Sequence, residues 1–147
     1  MSVNIRKGEQ RDLESVFNLV QELAMYEKAP EEVTATLDDY YENYKDEIFD
    51  FIVAEVEQSI VGISLFYYSY STWKGKMLFL EDFVVREELR GKGIGQLLFD
   101  ATVDHAKDTE CKLMKWEVLD WNEPAIQFYQ KNNAVIEKNW WDGKLFF

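Results

Sequence analysis

Apolar residues recur at two periods along this chain, and the switches between them divide it into elements. Residues 3–6 read as a short strand. Leu13, Val16, Phe17, Val20, Leu23 and Ala24 then follow at helical spacing. That helix is predicted to end near Tyr26 or Glu27, because Pro30 pushes Ala29 out of the helical region. Leu37, Tyr40, Tyr41 and Tyr44 give a second, weaker helix within a strongly acidic stretch, which reads as a surface flap. From Phe49 the period becomes two: Phe49, Phe51 and Val53 alternate with Asp50, Ile52 and Ala54, and a second β-rich run covers residues 60–70. The pair predicts a hairpin. A third run, residues 77–85, is nearly all apolar apart from Glu81 and Asp82, as expected of a central strand covered on both faces.

Beyond a glycine-rich stretch, Ile94, Leu97, Leu98, Ala101 and His105 fall on one helical face. Residues 113–119 predict a strand, and residues 124–131 a short helix with Pro124 in its first turn. Residues 135–136 and 145–147 predict closing strands. No repeat or linker interrupts the order, so residues 1–147 are expected to form one domain. An antiparallel meander followed by a strand, loop, helix and strand crossover gives a mixed sheet with helices on both faces, class α+β or layered α/β.

Composition narrows the chemistry only a little. With 47% apolar and 16% aromatic residues the core should be aromatic-rich. No apolar run approaches the roughly 20 residues of a membrane helix, and the start carries no apolar signal segment, so a cytoplasmic protein with no membrane partner is expected. A single cysteine, Cys111, gives neither a disulfide nor metal-ligand spacing, and no metal is expected. The net charge of −12 disfavours nucleic acid and suits a cationic substrate, although acidity also serves solubility. His105, at the far end of its helix with no paired Ser or Cys nucleophile, reads as a structural residue.

The glycine-rich stretch is more informative. Arg90-Gly91-Lys92-Gly93-Ile94-Gly95 leaves a buried strand and enters a helix. Its glycines let backbone N–H groups converge, and a helix start adds about half a positive charge. Arg86, Arg90 and Lys92 concentrate three cations in an otherwise acidic chain, as a diphosphate needs. The glycine spacing is not the dinucleotide fingerprint, and no Gly-Lys followed by Ser or Thr makes a P-loop.

This loop resembles the acetyl-coenzyme A loop of the GNAT acetyltransferase superfamily. Glu22-Leu23-Ala24-Met25-Tyr26-Glu27, the stretch 67–75, Leu80-Glu81-Asp82-Phe83 and Trp121-Asn122-Glu123-Pro124-Ala125-Ile126-Gln127-Phe128-Tyr129 are similar, in order, to the diamine (spermidine/spermine) and thialysine N-acetyltransferases. The resemblance implies a mostly antiparallel twisted sheet with splayed central strands, and a homodimer. Tyr70-Ser71-Thr72-Trp73-Lys74-Gly75 and Val118-Leu119-Asp120-Trp121-Asn122 look like the thialysine branch, where Ser71 replaces the acidic residue of polyamine enzymes. Glu123-Pro124-Ala125-Ile126-Gln127-Phe128-Tyr129 looks more like the polyamine branch. Asn133 stands where the family has glycine, and Asn enters left-handed backbone more readily than most residues.

Transfer of acetyl to an amine requires the neutral amine, whereas a free alkyl ammonium has a pKa of about 10.4 and is almost all protonated at pH 7. By the resemblance, Glu81 takes that proton, directly or through water, and Tyr129 donates one to the departing thiolate. The same carry-over gives backbone pairing of Phe83, Val84 and Val85 with the pantetheine arm, and cofactor contacts from Arg90, Gly91, Lys92, Gly93, Ile94, Gly95 and Asn122. Tyr26, Glu27, Trp73 and Asp82 resemble the amine-side residues, carboxylates holding an ammonium and aromatic faces favouring a cation. A small cationic amine is the expected partner. Acetylation of a protein lysine or N-terminus, or a coenzyme A-binding or dimerisation module without catalysis, are the alternatives.

Overall fold

The computed structural model describes residues 1–147, which divide into two compact units, Met1–Glu117 and Val118–Phe147. The first holds strands β1 (Asn4–Lys7), β2 (Asp50–Val56), β3 (Ser59–Ser71), β4 (Gly75–Val85) and β5 (Leu113–Trp116), with helices α1 (Leu13–Tyr26), α2 (Leu37–Lys45) and α3 (Ile94–Asp108). The sheet runs β1-β2-β3-β4-β5, antiparallel except for the parallel β4/β5 pair. Residues 86 to 112, with α3 inside them, provide the helical crossover that a parallel pair requires.

Alternation along the strands builds one core on each face. Phe51, Val53, Ile63 and Leu65 pack with Leu13, Val16 and Leu19 of α1, while Ile52, Ala54, Phe66 and Leu78 pack with Ile94, Leu98 and Ala106 of α3. Arg6 of β1 ties this layering together, donating to both Asp12 carboxylate oxygens at 2.8 and 2.9 Å and to Glu55 at 3.2 Å. No helix is long and apolar enough to cross a membrane.

Several expectations change in detail. The acidic segment lies at the surface with no buried residue, yet it is packed down, because Tyr40 of α2 meets Phe17 edge-on at 5.2 Å and Tyr44 packs on Phe49 and Phe51. The buried face of α3 is the row Ile94, Leu98, Thr102, Ala106, joined by Phe99, and Leu97 is half exposed. Thr102 turns inward because its hydroxyl donates to buried Ser64 Oγ at 2.7 Å, so a polar residue takes a core position. His105 is structural, its ring 5.0 Å from that of Phe66 and its Nε2 2.7 Å from the Tyr68 hydroxyl, and burial lowers its pKa.

The second unit contains α4 (Glu123–Lys131), with Asn122 as its N-cap and Pro124 in the first turn. Asn133 adopts φ 68°, the left-handed conformation its side chain tolerates. The expected closing strands are absent: residues 135–136 and 145–147 have no regular structure, and Val135, Leu145, Phe146 and Phe147 are exposed. A strand exists by pairing, and two- and three-residue apolar runs separated by charged ones give too short a ladder.

Candidate active site

The two ladders of β4 end at different places, and that difference makes the site. On one side β4 pairs with β3 along its whole length, from Ser71↔Gly75 to Gly62↔Val85. On the other side it pairs with β5 only over Met77↔Leu113 to Leu80↔Trp116. From Glu81 to Val85 the strand is laddered on one side alone, the splay expected of the central strands.

At the same point the register with β3 slips. Leu65 pairs with Asp82 and Phe66 with Leu80, so Glu81 is an extra residue, a β-bulge. One extra residue exchanges the faces of everything after it. Leu78 and Leu80 face α3, and beyond the bulge Phe83 and Val85 face α3 again, whereas Val84 joins the α1 core. Asp82, two residues before Val84, is thereby turned to the α1 side, where the charges of Glu81 and Glu27 act on it. Burial, reinforced by those two carboxylates, pushes its pKa up to about 7. Burial also raises Glu27. Glu81 itself is exposed, and its carboxylate accepts from the Tyr67 hydroxyl at 3.2 Å.

Two tyrosines stand around this pair. Tyr67 has its pKa pushed up to about 12 by burial and by Glu81, and its ring stacks on Phe79 at 5.4 Å. Tyr40 is likewise held at about 12 by burial and by the charges of Asp82 and Glu81. Both keep their protons at neutral pH. Nothing in their spacing marks them, since the fold alone brings β3 and α2 against the bulge.

The backbone of the splayed segment has a direction. The N–H of Arg86 donates to Val61 of β3 at 2.8 Å, so by antiparallel alternation Val84 also faces β3. Phe83 and Val85 turn their N–H and C=O groups the other way, to the side where the β5 ladder has stopped. An extended ligand arm can be held there as an added strand.

Val85 leads into the glycine loop. Gly91 and Gly93 have φ of 77° and 85°, the left-handed region where a side chain is strained, although a Cβ at either would touch nothing within 4 Å. Their requirement is conformational. Gly93 is the N-cap of the 15-residue helix α3 and offers no side chain to cap its first N–H groups. Arg90 and Lys92 are exposed beside them. Cations, left-handed glycines and an uncapped helix start together suit the diphosphate of a coenzyme A. A Cβ at Gly95 would lie 3.9 Å from Val85 and 4.0 Å from Phe83, ordinary contact, so Gly95 is not demanded by space.

The remaining residues fall in different places. Tyr26, the last residue of α1, lies with its ring under Arg90, the guanidinium 5.1 Å from the ring centroid. Trp73 is at the tip of the β3/β4 turn and is 84% exposed. Six steps of extended strand, about 20 Å at roughly 3.3 Å each, separate Gly75 from Glu81. Trp73 is thus not brought to the carboxylates within this unit. In the second unit, Asn122 Oδ1 accepts from Ala125 N–H at 3.4 Å, and Tyr129 is buried with its ring edge-on to Phe128 at 5.6 Å.

The chain resembles known acetyltransferases in sequence and in fold. Residues 13–134 match the acetyltransferase (GNAT) family. The chain is 34% identical over 142 residues to a Bos taurus thialysine N-epsilon-acetyltransferase, covering 90% of this chain and 84% of the relative. It is 30% identical over 148 residues to a Homo sapiens spermidine/spermine N(1)-acetyltransferase-like protein 1, covering 92% of this chain but 21% of that longer protein. In fold it superimposes on an aminoglycoside acetyltransferase from an uncultured soil metagenomic sample with TM-score 0.82 at 16% identity, covering 99% of this chain and 96% of that one. With the splayed strand, the acidic bulge and the cation-bearing loop in place, the chain belongs to the GNAT acetyltransferase family, as an N-acetyltransferase.

Proposed function

We propose that the chain moves acetyl from acetyl-coenzyme A directly to a primary amine of a small cationic substrate, thialysine or a similar side-chain amine. The observation that carries this reading is the bulge at Glu81, which puts an acidic pair on the strand that leads into the cation-bearing loop. One end of the segment suits an ammonium, the other a diphosphate.

Acetyl-coenzyme A supplies the activated acetyl group as a thioester. Arg90, Lys92 and the N–H groups of the loop and α3 start hold its diphosphate, and Phe83 and Val85 align its arm. Asp82, whose pKa of about 7 leaves it partly ionised at neutral pH and which a neighbouring ammonium draws toward its charged form, holds that ammonium together with Glu27. Glu81, hydrogen-bonded by Tyr67, takes the proton that frees the nucleophilic lone pair. Tyr129 serves as proton donor to the leaving thiolate, a phenol being protonated at neutral pH. Asn122 assists the cofactor.

Thialysine is supported by the bovine relative's name and by Ser71, which leaves the β3/β4 turn without a carboxylate for a second ammonium. A diamine or polyamine is the second reading, favoured by the human relative and by the acidity of Glu27, Glu81 and Asp82. The exposed aromatic tail residues Trp140, Trp141, Phe146 and Phe147 support a homodimer. Thiol release from acetyl-coenzyme A, measured with thialysine, lysine, spermidine and short diamines, tests the reading. Release is expected most strongly with thialysine. Folded protein that binds acetyl-coenzyme A yet releases thiol with none of these amines would overturn it.

A further inference from the structure

Arg90 is the exposed cation at the centre of the loop, and an arginine on a solvated loop ordinarily samples many rotamers. Here two contacts restrict it. Its Nε donates to the Val85 carbonyl at 3.0 Å, one of the outward-facing groups of the splayed strand. Its guanidinium lies 5.1 Å from the centroid of the Tyr26 ring. With Nε engaged by the backbone and one face covered by the ring, the two terminal amino groups remain as the pair of parallel donors that a diphosphate takes in bidentate fashion.

Tyr26 is well placed for this. It is the last residue of α1, and the helix terminates firmly: Glu27 N–H donates to Leu23 at 2.9 Å, Lys28 N–H to Met25 at 3.1 Å, and Ala29 N–H to Ala24 at 2.9 Å, with Lys28 left-handed at φ 63°. The ring is thus carried by a fixed helix end whose other face packs into the core through Leu13, Val16 and Leu19. Glu27, adjacent to it, is the carboxylate that acts on Asp82. One helix terminus therefore supports both halves of the site.

We propose that Tyr26 is a positioning residue for the cofactor, its ring holding Arg90 in the orientation that meets the diphosphate. The proposal rests on the acetyl-coenzyme A reading above and assigns Tyr26 a role on the cofactor side of the site, whatever it also contributes to the amine. The aromatic face is what acts, because a guanidinium is drawn to the ring's negative face and stacks on it.

The test is direct binding of coenzyme A by titration calorimetry, without amine, to the full chain and its variants. Tyr26→Leu is expected to weaken binding about three- to tenfold, the loss of one partly desolvated cation–aromatic contact. Tyr26→Phe, which keeps the ring, should stay within about twofold of the original. In an Arg90→Met background, Tyr26→Leu should have no further effect, a non-additivity that general loosening of the helix end would not produce. In turnover, the Leu variant should raise KM for acetyl-coenzyme A. Unchanged coenzyme A affinity in Tyr26→Leu, equal losses in the Leu and Phe variants, or full additivity with Arg90→Met would each overturn the positioning role. Failure of the unsubstituted chain to bind coenzyme A at all would instead overturn the acetyl-coenzyme A reading, and this role with it.

Discussion

The two halves of β4 share a strand, a sheet and one neighbour, yet they do opposite work. Residues 77–80 are laddered on both sides and bury Met77, Leu78 and Leu80. Residues 81–85 keep only the β3 ladder, begin with an extra residue and carry two adjacent carboxylates, one of which holds its proton to about pH 7. The first half obeys the rule that a central strand is apolar on both faces. The second breaks that rule at Glu81 and Asp82. A single β-bulge is the boundary, and it re-aims side chains at the point where the sheet opens.

Substitutions on either side of that boundary should separate activity from stability. The largest expected effect is that of Glu81→Gln, which removes the proton acceptor but keeps the shape. It should lower kcat/KM by about 10²- to 10⁴-fold, with a melting temperature close to the original because the side chain is exposed. An equal loss of activity and stability would contradict the division. Leu78→Ala, on the other side, deletes a fully buried side chain and should destabilise by about 2–5 kcal/mol in denaturant titration, while the folded fraction keeps its KM values.

Asp82→Asn gives the smallest change and joins both properties. The Asp82 carboxyl is raised from 3.8 to about 7 in the folded chain, so between those values the folded state binds a proton that the unfolded state has lost. Stability contributed by this group therefore falls as pH rises through that window and stays low above pH 7. The Asn variant should melt several degrees higher than the original at pH 8 and show little difference near pH 4, with a raised KM for the amine. A variant that melts lower at pH 8 would show that the Asp82 charge is not desolvated.

Much of this was legible in the sequence because periodicity reports burial directly. The period-two runs located β2, β3 and β4, the helical rows located α1 and α3, and the glycine-cation cluster located the loop. Pro30 set the end of α1, and Asn133 took the left-handed backbone expected of it. The bulge was not legible. Glu81-Asp82 could be seen as a polar interruption, but whether two polar residues break a strand, span its faces or add an unpaired residue depends on the register with β3. The buried face of α3 departs from its apolar row because Thr102 is buried through its bond to Ser64, 38 residues away in the chain. The contact of Tyr26 with Arg90 joins the end of one helix to the approach of another, and no local pattern records it. Residues 135–136 and 145–147 have the apolar character of strands but no partner to pair them.

The most direct test of the division is amide hydrogen exchange along β4, compared with and without acetyl-coenzyme A. If the splayed half is where the cofactor arm is held, the amides of Phe83 and Val85 should exchange markedly more slowly in its presence. Those of Leu78 and Leu80, already laddered to both neighbours, should change little. Saturating acetyl-coenzyme A that leaves Phe83 and Val85 unchanged, or slows both halves of the strand alike, would contradict the assignment of the open half as the cofactor edge.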